Sequence, residues 1–400
     1  MTGLGAVSGF GWSAAELWSG LLSGRTAILP AARFDTRGQR THVVSEVPSL
    51  PSSFPPDSAR SRRHSRADRF AVAAARDAMA QAHLAPGTPE VGVFFGGSTA
   101  GIAGGERFLE ALLSGSAGRV PLGLLAAQPL NAPGDAVARA FDLDGPVETV
   151  SSACASGSLA VGLALRSLRA GEVDCAVAGG SDALCSLTYS GFNALRAVDP
   201  EPCRPFRADR AGLSLGEGAG VLVLEPWERA LERGVRPLAE LLGAGASCDA
   251  HHMTAPHPQG AGAAAAIRSA LEDAGLDPTA VDFVNAHGTG TPLNDLAEWH
   301  ALTAVFGERA SELPVTSTKG AIGHLLGSAG AIEAVATVQS LLAGLIHPTS
   351  GEGPVDPAIG VDLVLGAPRE VGRDAVALST SLAFGGANAA LILAGWSDRR

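Results

Sequence analysis

The chain repeats itself, and the repeated unit is a helix that leads into a strand. Arg76-Asp77-Ala78-Met79, with Ala82, Leu84 and Pro86 after it, precedes an apolar run that ends at Gly96-Gly97-Ser98. Arg268-Ser269-Ala270-Leu271, with Ala274, Leu276 and Pro278 after it, precedes another that ends at His287-Gly288-Thr289. The two registers agree to within one residue at the strand, and such self-similarity marks a duplicated architecture. Helical periodicity predicts helices over residues 71–82, 159–170 and 263–274. Apolar runs predict strands over 91–95, 173–178, 221–224, 281–284 and 375–378. Strands that alternate with helices imply an α/β fold with largely parallel sheets. Each half continues with a further strand–turn–helix unit, which carries Cys154 in the first and Lys319 with His324 in the second. We therefore expect two pseudo-repeated halves, residues 1–240 and 241–400, with the active site between them.

Composition narrows the setting. Hydrophobic residues make up 46% of the 400, ample for a core, and the formal net charge of −11 disfavours nucleic acid and anionic membrane as partners. No stretch is expected to reach the length of an apolar membrane span, and Met-Thr-Gly-Leu-Gly lacks the basic and apolar regions of a signal peptide. Five scattered cysteines without a Cys-x-x-Cys pair argue against a disulfide framework and a zinc site. A cytoplasmic protein without metal or cofactor is the expectation. No Gly-x-Gly-x-x-Gly or Walker lysine supports nucleotide binding. His251, His252 and His257 lie among Pro256, Pro258 and Gly260 without ligand spacing, and they read as a loop. One segment opposes the acidic balance: Arg60, Arg62, Arg63, His64, Arg66 and Arg69 fall within ten residues. It reads as a solvated helix start or as a dock for an acidic partner.

Four turns collect reactive groups. Cys154 sits in Ser151-Ser152-Ala153-Cys154-Ala155-Ser156, where an extended run meets a helix. The positive end of a helix favours thiolate there, and a thiolate is a nucleophile for acyl groups. The second turn is Asn285-Ala286-His287-Gly288-Thr289. The third is Ser317-Thr318-Lys319-Gly320 with Gly323-His324, and Glu333 follows nine residues later. Neutral imidazoles on such turns can donate hydrogen bonds to a developing oxyanion. The fourth, Leu382-Ala383-Phe384-Gly385-Gly386, places a bulky residue before paired glycines, as a mobile wall would need.

Taken together, Ala153-Cys154, Asn285-Ala286-His287-Gly288-Thr289, Ser317-Thr318-Lys319-Gly320 with Gly323-His324, and Phe384-Gly385-Gly386 resemble the elongating β-ketoacyl-acyl-carrier-protein synthases of the thiolase-like superfamily. The resemblance covers the chain nearly end to end. It implies a layered α/β/α/β/α core and a Cys-His-His site that works without cofactor. Cys154 is implied as the acyl carrier, and His287 and His324 as the groups that hold malonyl thioester and its enolate. Lys319 and Glu333 match the supporting network. Phe384 matches the gate, and the backbone N–H groups of Cys154 and Phe384 match an oxyanion hole. Acyl carrier protein is the implied partner, docking on Arg62, Arg66 and Arg196, with Arg63 or Arg69 standing in for a basic residue that is here Ser65. Ala100 occupies a pocket-limiting position, which implies a longer or wider acyl pocket. Family members are dimers, so a homodimer or a heterodimer with a related subunit is expected.

Several positions depart from the pattern. Met1 directly precedes Thr2-Gly3-Leu4-Gly5, where the family has a further short strand. Leu382 and Ala383 replace the usual Phe and Gly, and Ala383 is expected to cost the gate some freedom. The stretch from Ser181 to Cys185, Gly191-Phe192 and Cys203-Arg204-Pro205-Phe206 look more like ketosynthases of aryl-polyene and type II polyketide pathways. A degradative thiolase needs a second cysteine near the last turn, and none follows Cys248. A Cys-His-Asn initiating enzyme is disfavoured by Lys319 and His324, and a non-catalytic chain-length factor by Cys154.

Overall fold

The computed structural model describes residues 1–50, 64–115 and 122–396. Two mixed sheets dominate it. The first contains β1 (Gly3–Val7), β2 (Val91–Gly96), β3 (Val147–Val150), β4 (Cys175–Asp182) and β5 (Gly218–Leu224), in the spatial order β3-β2-β4-β5-β1. The second contains β6 (Ala239–Cys248), β7 (Phe283–Asn285), β8 (Pro314–Thr316), β9 (Asp362–Leu363), β10 (Val376–Leu382) and β11 (Ala387–Gly395). Its order is β8-β7-β10-β11-β6, with β9 added outside β8. In both sheets the first three strands of that order run parallel and the last two pair antiparallel. The duplication seen in the sequence is thus a duplication of topology.

Four helices complete five layers. α1 (Arg66–Gln81) covers β1 and β5 on the outside, and α3 (Ala261–Ala274) covers β6 and β11. α2 (Ser156–Arg169) and α4 (Ala329–Ala343) pack on each other between the sheets. The shared core runs through all three inner layers, from Phe94 and Leu222 through Val161, Ile332 and Val335 to Phe283 and Leu391. Each such side chain contributes about 1.5–3 kcal/mol by leaving water. Residues Leu326–Ala343 do reach spanning length, 18 residues of mean hydropathy 1.3, contrary to the expectation from sequence. They are mostly apolar because they lie between two sheets, with 89% of the stretch buried.

Helix and sheet touch backbone to backbone on both outer faces. A Cβ on Gly5 would come within 2.0 Å of the Ala74 carbonyl oxygen, and one on Gly245 within 2.1 Å of the Ala266 carbonyl oxygen. Only glycine facing an alanine-lined helix permits that approach. α1 begins one turn before the predicted position because Ser65 caps it. The Ser65 side chain accepts from the Asp68 N–H and the Asp68 carboxylate accepts from the Ser65 N–H.

Candidate active site

Three turns at the ends of β3, β7 and β8 bring Cys154, His287 and His324 together. The Cys154 Sγ and one ring nitrogen of each histidine all lie within 4.8 Å of one another, and all three residues are buried. The imidazoles meet edge to face, with centroids 5.3 Å apart. Cys154 stands on a sharp elbow, since Ala153 before it has φ +45° and α2 starts at Ser156. The Ser156 hydroxyl bonds the Ala153 carbonyl at 2.6 Å and accepts from the Ser152 N–H at 2.8 Å, which holds the elbow closed.

Each histidine has its Nδ1 occupied. The Leu326 N–H donates to Nδ1 of His324 at 3.0 Å. The Lys319 ammonium lies 3.2 Å from Nδ1 of His287 and donates to the His287 carbonyl at 2.6 Å. Ammonium and amide are donors only, so both rings must carry their proton on Nε2. Among the described residues the Nε2 of His324 has no hydrogen-bond partner. Burial first, then the positive charge of Lys319, holds both imidazoles well below their usual pKa, and His324 adds to the effect on His287. Two neutral N–H donors therefore face the thiol.

Lys319 and Glu333 form a fully buried ion pair. Burial pushes the Glu333 carboxyl up to about 7, while Lys319 pulls it down. The loop holding His287 is tied from behind. Glu298 accepts from the N–H groups of His287 and Gly288, both at 2.8 Å, and from the Thr380 hydroxyl at 2.7 Å. Asp295 accepts from Thr289, Gly290 and Phe206 N–H groups.

The thiol itself departs from expectation. Burial outweighs every other influence and pushes Cys154 up to about 11. The Lys319 charge and the N–H groups of Phe384 and Cys154 act in the opposite direction and fall short. Loss of water around the sulfur therefore favours the neutral thiol over the thiolate.

Phe384 stacks on Phe192 with centroids 5.6 Å apart. Gly385 and Gly386, at φ +85° and +81°, form the turn behind it, and the Gly385 N–H is bonded to the Met253 carbonyl at 2.7 Å. Ala383 has φ −122°, a conformation open to any residue, so it costs this turn nothing. A cavity of about 360 Å³ runs past Phe384, Phe192, Arg196, Thr289 and Thr291 to Cys154 and both histidines.

The beta-ketoacyl synthase N-terminal domain matches residues 1–230, and the beta-ketoacyl synthase C-terminal domain matches residues 238–351. The chain belongs to the beta-ketoacyl synthase family. It is 38% identical to a 3-oxoacyl-[acyl-carrier-protein] synthase 2 of Synechocystis sp. (strain ATCC 27184 / PCC 6803 / Kazusa), over 98% of this chain and 96% of that one. Among solved structures it is similar to the ishigamide ketosynthase/chain length factor, with TM-score 0.90, 36% identity, and 99% and 98% of the two chains covered. It is also similar to a type II PKS acyl-carrier protein in complex with its ketosynthase, with TM-score 0.88, 29% identity, and 99% and 98% covered. The fold is that of the thiolase-like ketosynthases.

In this beta-ketoacyl synthase the remaining residues singled out from sequence are placed unevenly. Arg62 and Arg63 lie outside the described residues. Arg66 turns inward to an ion pair with the fully buried Glu217, and its guanidinium lies 5.0 Å from the Phe70 ring centre. Arg69 follows it on α1, half-buried. Arg196 is exposed at the rim of the Cys154 cavity. Ala100, with φ +40°, lines a separate cleft of about 1100 Å³ beside Arg66 and residues 103–114, and not the Cys154 cavity. The histidine-bearing segment near residue 251 is an irregular loop in which His252 Nδ1 accepts the Thr254 and Ala255 N–H groups. Sequence reasoning passed over Asp182 and Ser98, whose partners lie far along the chain. Glu298 and Asp295, acidic positions that the sequence suits to capping and ion pairing, hold the His287 turn in just that way.

Proposed function

We propose that the chain is a 3-oxoacyl-[acyl-carrier-protein] synthase that performs decarboxylative Claisen condensation. The observation that carries this reading is the convergence of the Cys154 thiol on two neutral imidazoles whose Nε2–H groups face it. Cys154 attacks the acyl thioester of carrier protein, and the departing thiol takes up its proton. The N–H groups of Cys154 and Phe384, which already act on Sγ, receive the oxyanion of that step. Malonyl thioester then binds with its carbonyl oxygen at His287 and His324. Loss of carbon dioxide leaves an enolate that these two donors stabilise. Its carbon attacks the acyl-Cys154 carbonyl, the C–S bond breaks, the released Cys154 thiolate takes a proton from water, and the product is a 3-oxoacyl thioester two carbons longer. Decarboxylation generates the nucleophile, so no strong base is needed. Each oxyanion donor is typically worth about 3–4 kcal/mol, and holding the electrophile covalently supplies part of the ~7–11 kcal/mol available from positioning.

The division into residues 1–240 and 241–400 places the nucleophile in one half and both imidazoles in the other. Carrier protein is the macromolecular partner, and the exposed Arg196 beside the cavity mouth fits an acidic one. The free edge of the first sheet, β3, exposes Val147 and Glu148, a suitable place for a second subunit to add its own strand. We place the enzyme in the cytoplasm. A second reading, a ketosynthase paired with a chain-length factor in aryl-polyene or type II polyketide synthesis, is favoured by the likeness to the ishigamide ketosynthase/chain length factor. Intact-mass detection of acyl-enzyme across chain lengths and degrees of unsaturation separates the two pathways. The Cys154→Ala variant is expected to lose both acylation and condensation, and persistent condensation by it rules out the mechanism.

A further inference from the structure

Asp182 ends β4 with its side chain entirely buried. Its carboxylate accepts four backbone N–H groups: Ser98 at 2.9 Å, Thr99 at 2.8 Å, Ala100 at 2.8 Å and Gly327 at 2.6 Å. Among the described residues it has no cationic partner, so these donors alone compensate the burial of its charge. They belong to two turns that reach the active site from different sheets. On one side, the Ser98 hydroxyl donates to the Ala153 carbonyl at 3.1 Å, on the elbow that carries Cys154. On the other, Gly327 follows Leu326, whose N–H fixes the tautomer of His324. Leu326, Ala100 and Ala153 all hold positive φ, at +55°, +40° and +45°, so none of the three turns relaxes into this shape without restraint. The two turns are also packed hard together, since a Cβ on Gly327 would come within 2.6 Å of the Gly97 carbonyl carbon.

We propose that Asp182 is a positioning residue that clamps the turn at residues 98–100 to Gly327, and so sets the separation of the Cys154 thiol and the His324 imidazole. It touches no reacting atom. Among the described residues its carboxylate is the one side chain hydrogen-bonded both to the strut behind Cys154 and to the turn behind His324. The proposal rests on the condensing reading above.

The test uses the full-length enzyme and measures its two half-reactions separately. Self-acylation of Cys154 by acyl-carrier protein is followed by intact mass, and decarboxylation of malonyl-carrier protein by carbon dioxide release. Asp182→Asn puts an amide, which has only one accepting oxygen, before four donors. Both half-reactions are expected to slow by at least about tenfold while KM for each substrate moves less than about threefold. Val177→Ala, in the same strand but facing α1, serves as the control for lost stability. Equal kinetics for the two variants at matched loss of Tm overturns the proposal, as does a rise in KM with kcat intact. Ser98→Ala removes only the arm to Ala153 and decides alone if Asp182→Asn does not fold. It is expected to slow acylation by about fivefold and leave decarboxylation within about twofold. Loss of both equally, or of neither, overturns the clamp. Absence of both half-reactions in the unmodified enzyme overturns the condensing reading instead.

Discussion

The Lys319 ammonium lies 3.2 Å from Nδ1 of His287 and is ion-paired to Glu333, so one buried cation sets the protonation site of a ring and neutralises a carboxylate. These two duties can be separated. Lys319→Met leaves Glu333 alone in the core, and breaking such a pair typically costs about 3–5 kcal/mol. The double variant Lys319→Met/Glu333→Gln is expected to recover most of that stability and none of the malonyl decarboxylation. Thermal unfolding and carbon dioxide release measure the two. Recovery of both in the double variant would show that the lysine is structural only.

The Cys154 thiol, pushed up to about 11, should react slowly at neutral pH. Its alkylation by iodoacetamide is expected to rise by about tenfold per pH unit between pH 7 and 9, as thiolate becomes available. Peptide mapping must assign the alkylated site, because Cys248 is exposed. A plateau near pH 7 at Cys154 would mean that the helix terminus and Lys319 outweigh burial.

Arg66 and Arg196 should behave oppositely on charge reversal. Arg66 is committed to Glu217, so Arg66→Glu places like charges together and is expected to cost roughly 2–4 kcal/mol, tempered by the part of Arg66 that stays wet. Arg196 is exposed and, among the described residues, forms no ion pair. Arg196→Glu should leave Tm unchanged and raise KM for carrier-bound substrate, but not for a small thioester. An unchanged KM at Arg196 removes it from the docking surface.

His347 supplies a pH dependence away from the site. It is fully buried against Trp18 and Thr316, and burial lowers it from 6.5 to about 4. The unfolded chain takes up a proton below pH 6.5 and the folded chain does not. The contribution of this group to stability therefore falls as pH drops from 6.5 towards 4. Between pH 7 and pH 5 it should withdraw roughly 2 kcal/mol. Denaturant titrations of wild type and His347→Gln at both pH values test this. The variant should lose less stability than wild type over that interval, and equal losses would contradict it.

The chemistry was easier to read from the sequence than the wiring behind it. Cys154, His287, Lys319, His324 and Phe384 announce themselves by unusual local company, with glycine, threonine or a helix start beside each. The structure brings Cys154, His287, His324 and Phe384 to one cavity and sets Lys319 behind His287. Arg66 and Asp182 carry no such local mark. The role of Arg66 depends on Glu217, 151 positions away, and that of Asp182 on Gly327, 145 positions away. A run of arginines therefore read as surface when one of its members faces the core. Strand ends were misplaced for a related reason. Gly179, Gly180 and Ser181 have weak strand propensity, yet they extend β4 because a Cβ at Gly179 would lie 2.1 Å from the Gly220 carbonyl oxygen. Close packing, not local preference, decides those residues.

The reactive cluster draws its thiol from the turn after the first sheet and both its imidazoles from turns of the second. A nascent or half-assembled chain accordingly displays a thiol without a proton donor, or imidazoles without a nucleophile. Competence to condense is acquired only at the docking of one half on the other. Separately produced halves should each be inert and should regain activity only when mixed.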